Sequence, residues 1–320
     1  MKKGIGIIIG VIVLAALIGG YMYLRAPAAE DVNIDNSKYS AYANPEAVIS
    51  PAELKEMMDN NEDFVLVDFR KGVKYMVEHI EGAVNAWRSE EENPNAAYGG
   101  MRATPEQFAN FLESKGISND STVVIYDSKG EYDAARMWWI MALYGHDLDK
   151  IHLLDGGLPA WKGSGYETTK AQPDIEEGNY KMDESKFRME LLATVEDVKA
   201  NLDNDQAVIL DTRSEGEYTG ESLKSGAKRK GRIPGAPWIE WSNAISDDKT
   251  FKTVKELEKV YKDNGVTSDK TIIPYCQSAV RSAHTTFVLT QLLGYEDVKN
   301  YDGSWIEWSS IEDLPLETGK

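Results

Sequence analysis

A single cysteine, Cys276, stands among 320 residues, which excludes an internal disulfide and every zinc or redox motif built from several thiols. Histidine is nearly as scarce. His79, His146, His152 and His284 show no ligand spacing, so they read as structural or surface residues and no metal site is expected. Positive charge is in deficit, with 35 basic against 53 acidic residues and a formal net charge of -18. Such a chain repels a phosphate polyanion, so no nucleic acid partner is expected. Hydrophobic residues make up 42 %, enough for two ordinary domains with separate cores.

The amino terminus has its own character. Met1, Lys2 and Lys3 precede an apolar run over residues 5–24, long enough for a membrane-spanning helix of about 20 residues and longer than an ordinary signal-peptide core. The lysines keep this end in the cytoplasm, so the acidic body is expected outside it, with the membrane as a partner through residues 1–25. Ala26-Pro27-Ala28 offers a small-residue cleavage site, which leaves secretion after cleavage as the alternative. Residues 26–45 read as a polar tether.

Beyond it the chain repeats itself. The apolar strand pattern ending in Asp68-Phe69-Arg70 returns at Asp211-Thr212-Arg213, and Ile80-Glu81-Gly82-Ala83 returns at Ile233-Pro234-Gly235-Ala236. The strand at Val123 returns at Ile272, which sets Asp127 on Cys276 and Gly145 on Gly294 with no gap between. Two copies of one α/β unit are expected, at 46–170 and 188–320, joined by a polar linker at 171–187. Strands alternate with helices in each, so each copy should be a parallel sheet covered by helices on both faces.

The copies differ in chemistry. By residue type alone a lone cysteine is a small buried hydrophobe. Cys276, however, ends a strand and opens the polar loop Gln277-Ser278-Ala279-Val280-Arg281-Ser282 before an amphipathic run at 285–293. The carboxyl end of a strand feeding a helix is where open α/β sheets place ligands. Amides of that loop and the positive end of a helix would favour a thiolate, making Cys276 a candidate nucleophile and Arg281 an anion clamp. Asp127 in the same place of the first copy is no sulfur nucleophile, so that copy reads as a scaffold.

These marks, with Val298-Lys299-Asn300-Tyr301-Asp302-Gly303-Ser304-Trp305-Ile306-Glu307-Trp308, resemble the rhodanese superfamily in its tandem-domain sulfurtransferase form. The resemblance implies a Cys276 persulfide, loaded by a small anionic sulfur donor such as thiosulfate and discharged to a thiol or cyanide, with no cofactor. It also implies substrate contacts from Gln277, Ser278, Ala279, Val280, Arg281 and Ser282. Mercaptopyruvate users tend to small residues after the cysteine, so Gln277 and Arg281 look more like a thiosulfate user.

Three departures stand out. Glu217 occupies a place where thiosulfate-using animal relatives carry an arginine before the aromatic residue, here Tyr218. The basic cluster Lys228, Arg229, Lys230 and Arg232 is a candidate replacement, Arg232 above all. Ala279 stands where glycine is common, and Pro274 lies in a strand that should be central. Two other functions compete. A phosphatase of related fold needs five residues between cysteine and arginine, whereas four separate Cys276 from Arg281. A persulfide carrier that does not turn over is the non-enzymatic alternative.

Overall fold

The computed structural model describes residues 37–319. The apolar segment expected at 1–25 lies outside the described residues, and no helix among the described ones is long and apolar enough to cross a membrane. The last part of the expected tether is not loose. Lys38 and Tyr39 both reach Asp155 Oδ2, at 2.6 and 2.9 Å, and Tyr42 is buried. The linker is likewise packed, with Gly178 and Tyr180 donating to Glu113.

Helix starts follow local chemistry. Ser50 and Glu53 close a reciprocal capping box ahead of the helix Pro51–Asp59, and Thr104 and Gln107 do the same for Pro105–Ser114. In the first copy, β1 (Val48–Ile49), β2 (Val65–Asp68), β3 (Val84–Asn85), β4 (Val123–Tyr126) and β5 (Ile151–Leu154) form one parallel sheet in the order β1-β5-β4-β2-β3. Alternate residues face opposite sides. Leu66, Val124 and Leu154 pack with Leu54 and Trp161, while Val67, Val123 and Ile125 pack with Phe108 and Met137, so helices cover both faces.

The second copy repeats this order with a break. It comprises β6 (Leu192–Ala193), β7 (Ala207–Asp211), β8 (Thr271–Tyr275) and β9 (Asn300–Tyr301), paired as β6-β9 and β7-β8. Between β8 and β9 only the bridge Ile272 to Val298 survives. Pro274 supplies the reason. Ile272 donates its N–H to Asp297 on that side, and Pro274, two residues on and facing the same way, has no N–H to give.

The expectation of separate cores holds for one cluster in each copy and is corrected for the largest. The largest apolar cluster runs continuously through both copies, because the helices Ala134–Leu143 and Val280–Phe287 face each other and Trp138 meets Phe287 edge-on at 4.9 Å. Ala134–Leu143 is buried at every position and Val280–Phe287 at every position but Arg281, so each is covered both by its own sheet and by its counterpart. The described residues, 37–319, accordingly fall within one compact unit.

Candidate active site

The paired Asp-x-Arg motifs are internal braces. Arg213 Nε donates to Asp211 Oδ1 at 2.9 Å, and the Tyr275 hydroxyl donates to Asp211 Oδ2 at 2.7 Å while accepting the Ile233 N–H at 3.1 Å. Arg70, Asp68, Tyr126 and Ile80 repeat this in the first copy. Tyr275 and Tyr126 immediately precede Cys276 and Asp127, so each brace pins the end of the strand that presents the next side chain.

Past Cys276 the chain turns in three residues. Ala279 is left-handed, φ 55, and caps the helix Val280–Phe287, which begins five residues before the amphipathic run and so carries Arg281 and Ser282 in its first turn. Glycine's frequency at this place in relatives now has a cause, since a Cβ is disfavoured at positive φ. Ser304 holds the turn closed. Its hydroxyl accepts from Cys276 N at 3.2 Å and Ala279 N at 3.0 Å and donates to Tyr301 O at 2.7 Å. Trp305 N and Ile306 N donate to the carbonyls of Cys276 and Gln277 at 3.0 and 3.1 Å.

Cys276 is 1 % exposed. Burial pushes its thiol up, but Arg281, the N–H groups of Ser282 and Ser278 and the Ser282 hydroxyl outweigh burial and leave it below the ordinary cysteine value. The hydroxyl lies 3.7 Å from Sγ. In the first copy the same amide positions serve a carboxylate. Asp127 accepts from the N–H groups of Lys129, Glu131, Asp133 and Ala134 at 2.7, 3.1, 2.8 and 3.3 Å. Lys129 and Asp133 stand at the same spacing from Asp127 as Ser278 and Ser282 from Cys276. Each loop is therefore a ring of inward amides, filled by a fixed side chain in one copy and by a sulfur in the other, although burial and Asp133 outweigh the amides at Asp127 and push its carboxyl up to about 6.

Arg281 is not a free clamp. Its guanidinium makes a two-pronged bond to Glu217, at 2.8 and 2.9 Å, and Lys224 lies 3.2 Å from the same carboxylate. Burial opposes the charge on Glu217, but Arg281, Ser214 and Lys224 hold its carboxyl down at about 2. Gln277 Nε2 donates to Ser225 O at 3.0 Å, so the segment carrying Lys224 is tied down beside the Cys276 loop.

Arg232 is not brought to this loop. It donates to Gly319 O at 2.6 Å, pairs with Glu317 and lies 4.3 Å over the Tyr218 ring. Arg229 gathers the carbonyls of Trp308, Ser309, Ile311, Glu312 and Leu314, the open end of the helix Ser304–Ser310, and Lys230 reaches Glu221 O. Arg229 and Arg232 thus tether the carboxyl-terminal segment. Sequence reasoning assigned no role to Ser304, although it quoted the stretch, and noticed Glu217 only as a departure. Among the described residues no group of three or more His, Cys, Asp and Glu is placed to hold a metal ion.

The rhodanese-like domain model matches residues 50–164 and again 194–311. The chain belongs to the rhodanese-like family. This rhodanese-like protein is 36 % identical to the sulfur carrier protein TtuD of Thermus thermophilus over 291 residues, covering 87 % of this chain and 99 % of that one. It is 32 % identical to the thiosulfate sulfurtransferase of Corynebacterium glutamicum over 88 % of this chain and 94 % of that one. In fold it is similar to the anaerobic ergothioneine biosynthesis enzyme from Chlorobium limicola, solved with trimethyl histidine, with a TM-score of 0.78, 24 % identity and coverage of 87 % and 72 %. Sulfurtransferase chemistry in general, with a sulfur donor and an acceptor, follows from these relatives.

Proposed function

We propose that the protein transfers the sulfane sulfur of thiosulfate to a thiophilic acceptor, cyanide or a thiol, through a persulfide on Cys276. The observation that carries this reading is the pair of matched cradles, in which amides that solvate the Asp127 carboxylate in one copy are turned on Cys276 Sγ in the other. The Cys276 thiolate attacks the outer sulfur of thiosulfate, a new S–S bond forms, the old one breaks, and sulfite leaves with the electron pair. The acceptor then attacks the outer sulfur of the persulfide, and Cys276 leaves as the thiolate that began the cycle. The amides of Ser278 and Ser282 would stabilise the anion at both stages.

A second reading, a persulfide carrier that loads once, is favoured by the name of the Thermus relative. Steady-state kinetics with thiosulfate and cyanide separate the two. The enzyme gives continuous thiocyanate with ping-pong behaviour, whereas release of no more than one equivalent per chain would sink the enzyme reading. We further infer an extracytoplasmic location from the apolar run at 5–24. Recovery of the native protein in the soluble cytoplasmic fraction of its cell would overturn it.

A further inference from the structure

The first copy touches the Cys276 loop through Arg136 and Gly100. Arg136, on the helix Ala134–Leu143, is 1 % exposed and directs its guanidinium across the boundary between the copies. One terminal nitrogen donates to Ala279 O at 3.4 Å, and the other donates to Asp302 Oδ1 at 2.8 Å and Gly100 O at 3.0 Å. Its Nε lies 3.9 Å from Glu91 Oε1, and its Cζ lies over the Trp139 ring, 4.8 Å from the centroid. The other oxygen of Asp302 is taken by Arg102 at 2.8 Å.

Ala279 is the residue whose backbone has most need of such a hold. It is left-handed without being glycine, and its carbonyl is gripped from two directions, by Arg136 and by Asn300 Nδ2 at 3.3 Å. Gly100, whose carbonyl Arg136 also holds, lies close against the next residue back and leaves no space for a side chain, since a Cβ at Gly100 would stand 2.6 Å from Ser278 Cβ. The φ and ψ of Ala279 set the direction of the helix Val280–Phe287 relative to the turn before it, and the N–H groups that face Sγ lie on the two sides of that joint, Ser278 before it and Ser282 after it. A guanidinium is suited to this task because its fork is planar and rigid and satisfies a carboxylate and a carbonyl together, which an ammonium does less well.

We propose that Arg136 of the first copy is a positioning residue for sulfur transfer, holding Ala279 left-handed so that the loop amides stay aimed at Cys276. The inference rests on Cys276 being the nucleophile, and it gives the non-catalytic copy a part in the chemistry that a scaffold would not have. Asp127, by contrast, has no such reach, because its carboxylate is bonded within its own loop.

The test uses the full-length protein with Arg136→Lys, which retains the charge facing Asp302 and Glu91, and with Arg102→Gln, which weakens the same Asp302 network without touching Ala279. The readouts are the pH dependence of Cys276 alkylation by iodoacetamide and the rate of sulfur loading. Arg136→Lys should move the alkylation midpoint to higher pH and slow loading roughly ten- to hundredfold, as expected when reacting groups lose about an ångström of alignment. Adding Ala279→Gly should restore most of both, because glycine adopts the left-handed turn without help. Arg102→Gln should leave the alkylation midpoint in place. An unchanged midpoint in Arg136→Lys, an equal shift in Arg102→Gln, or no rescue by Ala279→Gly would each overturn the proposal. Alkylation reports the loop whether or not thiosulfate is the donor, so failure of the sulfurtransferase reading would show separately, as wild-type protein that gains no sulfur.

Discussion

Glu217 grips Arg281 through both oxygens, at 2.8 and 2.9 Å, within the shell of groups that surrounds Cys276. The cation expected to hold an anionic donor is therefore already matched, and Lys224, with its side chain half exposed, is the more available charge beside it. A doubly charged donor meets this site on less favourable terms than a bare arginine would give.

Replacing Glu217 with Gln should lower the KM for thiosulfate by several-fold, because Arg281 and Lys224 then present uncompensated charge to the donor. It should also lower stability, since a buried ion pair loses one partner. The stability cost has a definite pH signature. A carboxyl held at about 2 in the folded state, below its ordinary value of 4.5, contributes stability above the unfolded value, and that contribution is lost as pH falls toward 2. The melting temperatures of wild type and Glu217→Gln should converge as pH drops from 5 toward 2.5. A raised KM would show that Glu217 assists the donor.

Glu91 titrates in the opposite sense. Burial pushes its carboxyl up to about 8 against the pull of Arg136 and Arg88, and neither oxygen has a hydrogen-bond partner. The folded state therefore holds a proton that the unfolded chain releases near 4.5, and stability falls as pH rises from there to about 8. Glu91→Gln removes this slope. Thermal melts from pH 5 to 8.5 should show the variant gaining on wild type as pH rises, and parallel curves would mean that Glu91 is ionised throughout.

Asp127→Ala should cost stability more than activity. Four N–H groups lose their acceptor in a buried loop, and each group left unsatisfied costs about 1–3 kcal/mol, less whatever water recovers. Sulfur loading per folded molecule should stay within a few-fold of wild type. A fold as stable as the parent would mean that the cradle is not formed, and a stable but inactive variant would give Asp127 a part in the chemistry.

The repeat, the parallel strands and the strand-end place of Cys276 could be read from sequence because each depends on local pattern: apolar runs, turn residues and the matched spacing of Asp127 with Cys276. The start of the helix at Val280 could not. The apolar periodicity begins later, and the first turn is stabilised by Ser304 and Ala279, whose contact depends on chain brought back from elsewhere in the fold. Arg232 misled for a related reason, since a basic run in an acidic chain looks like an anion site until its partners, the carboxyl-terminal carbonyls, are in view. The merged core was hidden because the helix Ala134–Leu143, Arg136 apart, is apolar all round, which suits a large single-domain interior as well as a boundary between copies. Arg136 was invisible for the same reason, as an isolated charge in that run.

The central claim is that Cys276, its thiol lowered by Arg281 and the loop amides, carries sulfur. Intact-mass spectrometry of protein exposed to thiosulfate and freed of excess donor tests it directly, with Cys276→Ser alongside. The account predicts a gain of one sulfur atom in the wild type, removed by cyanide, and none in the variant. An unmodified wild type under conditions where its fold is intact, or an equal gain in Cys276→Ser, would contradict it.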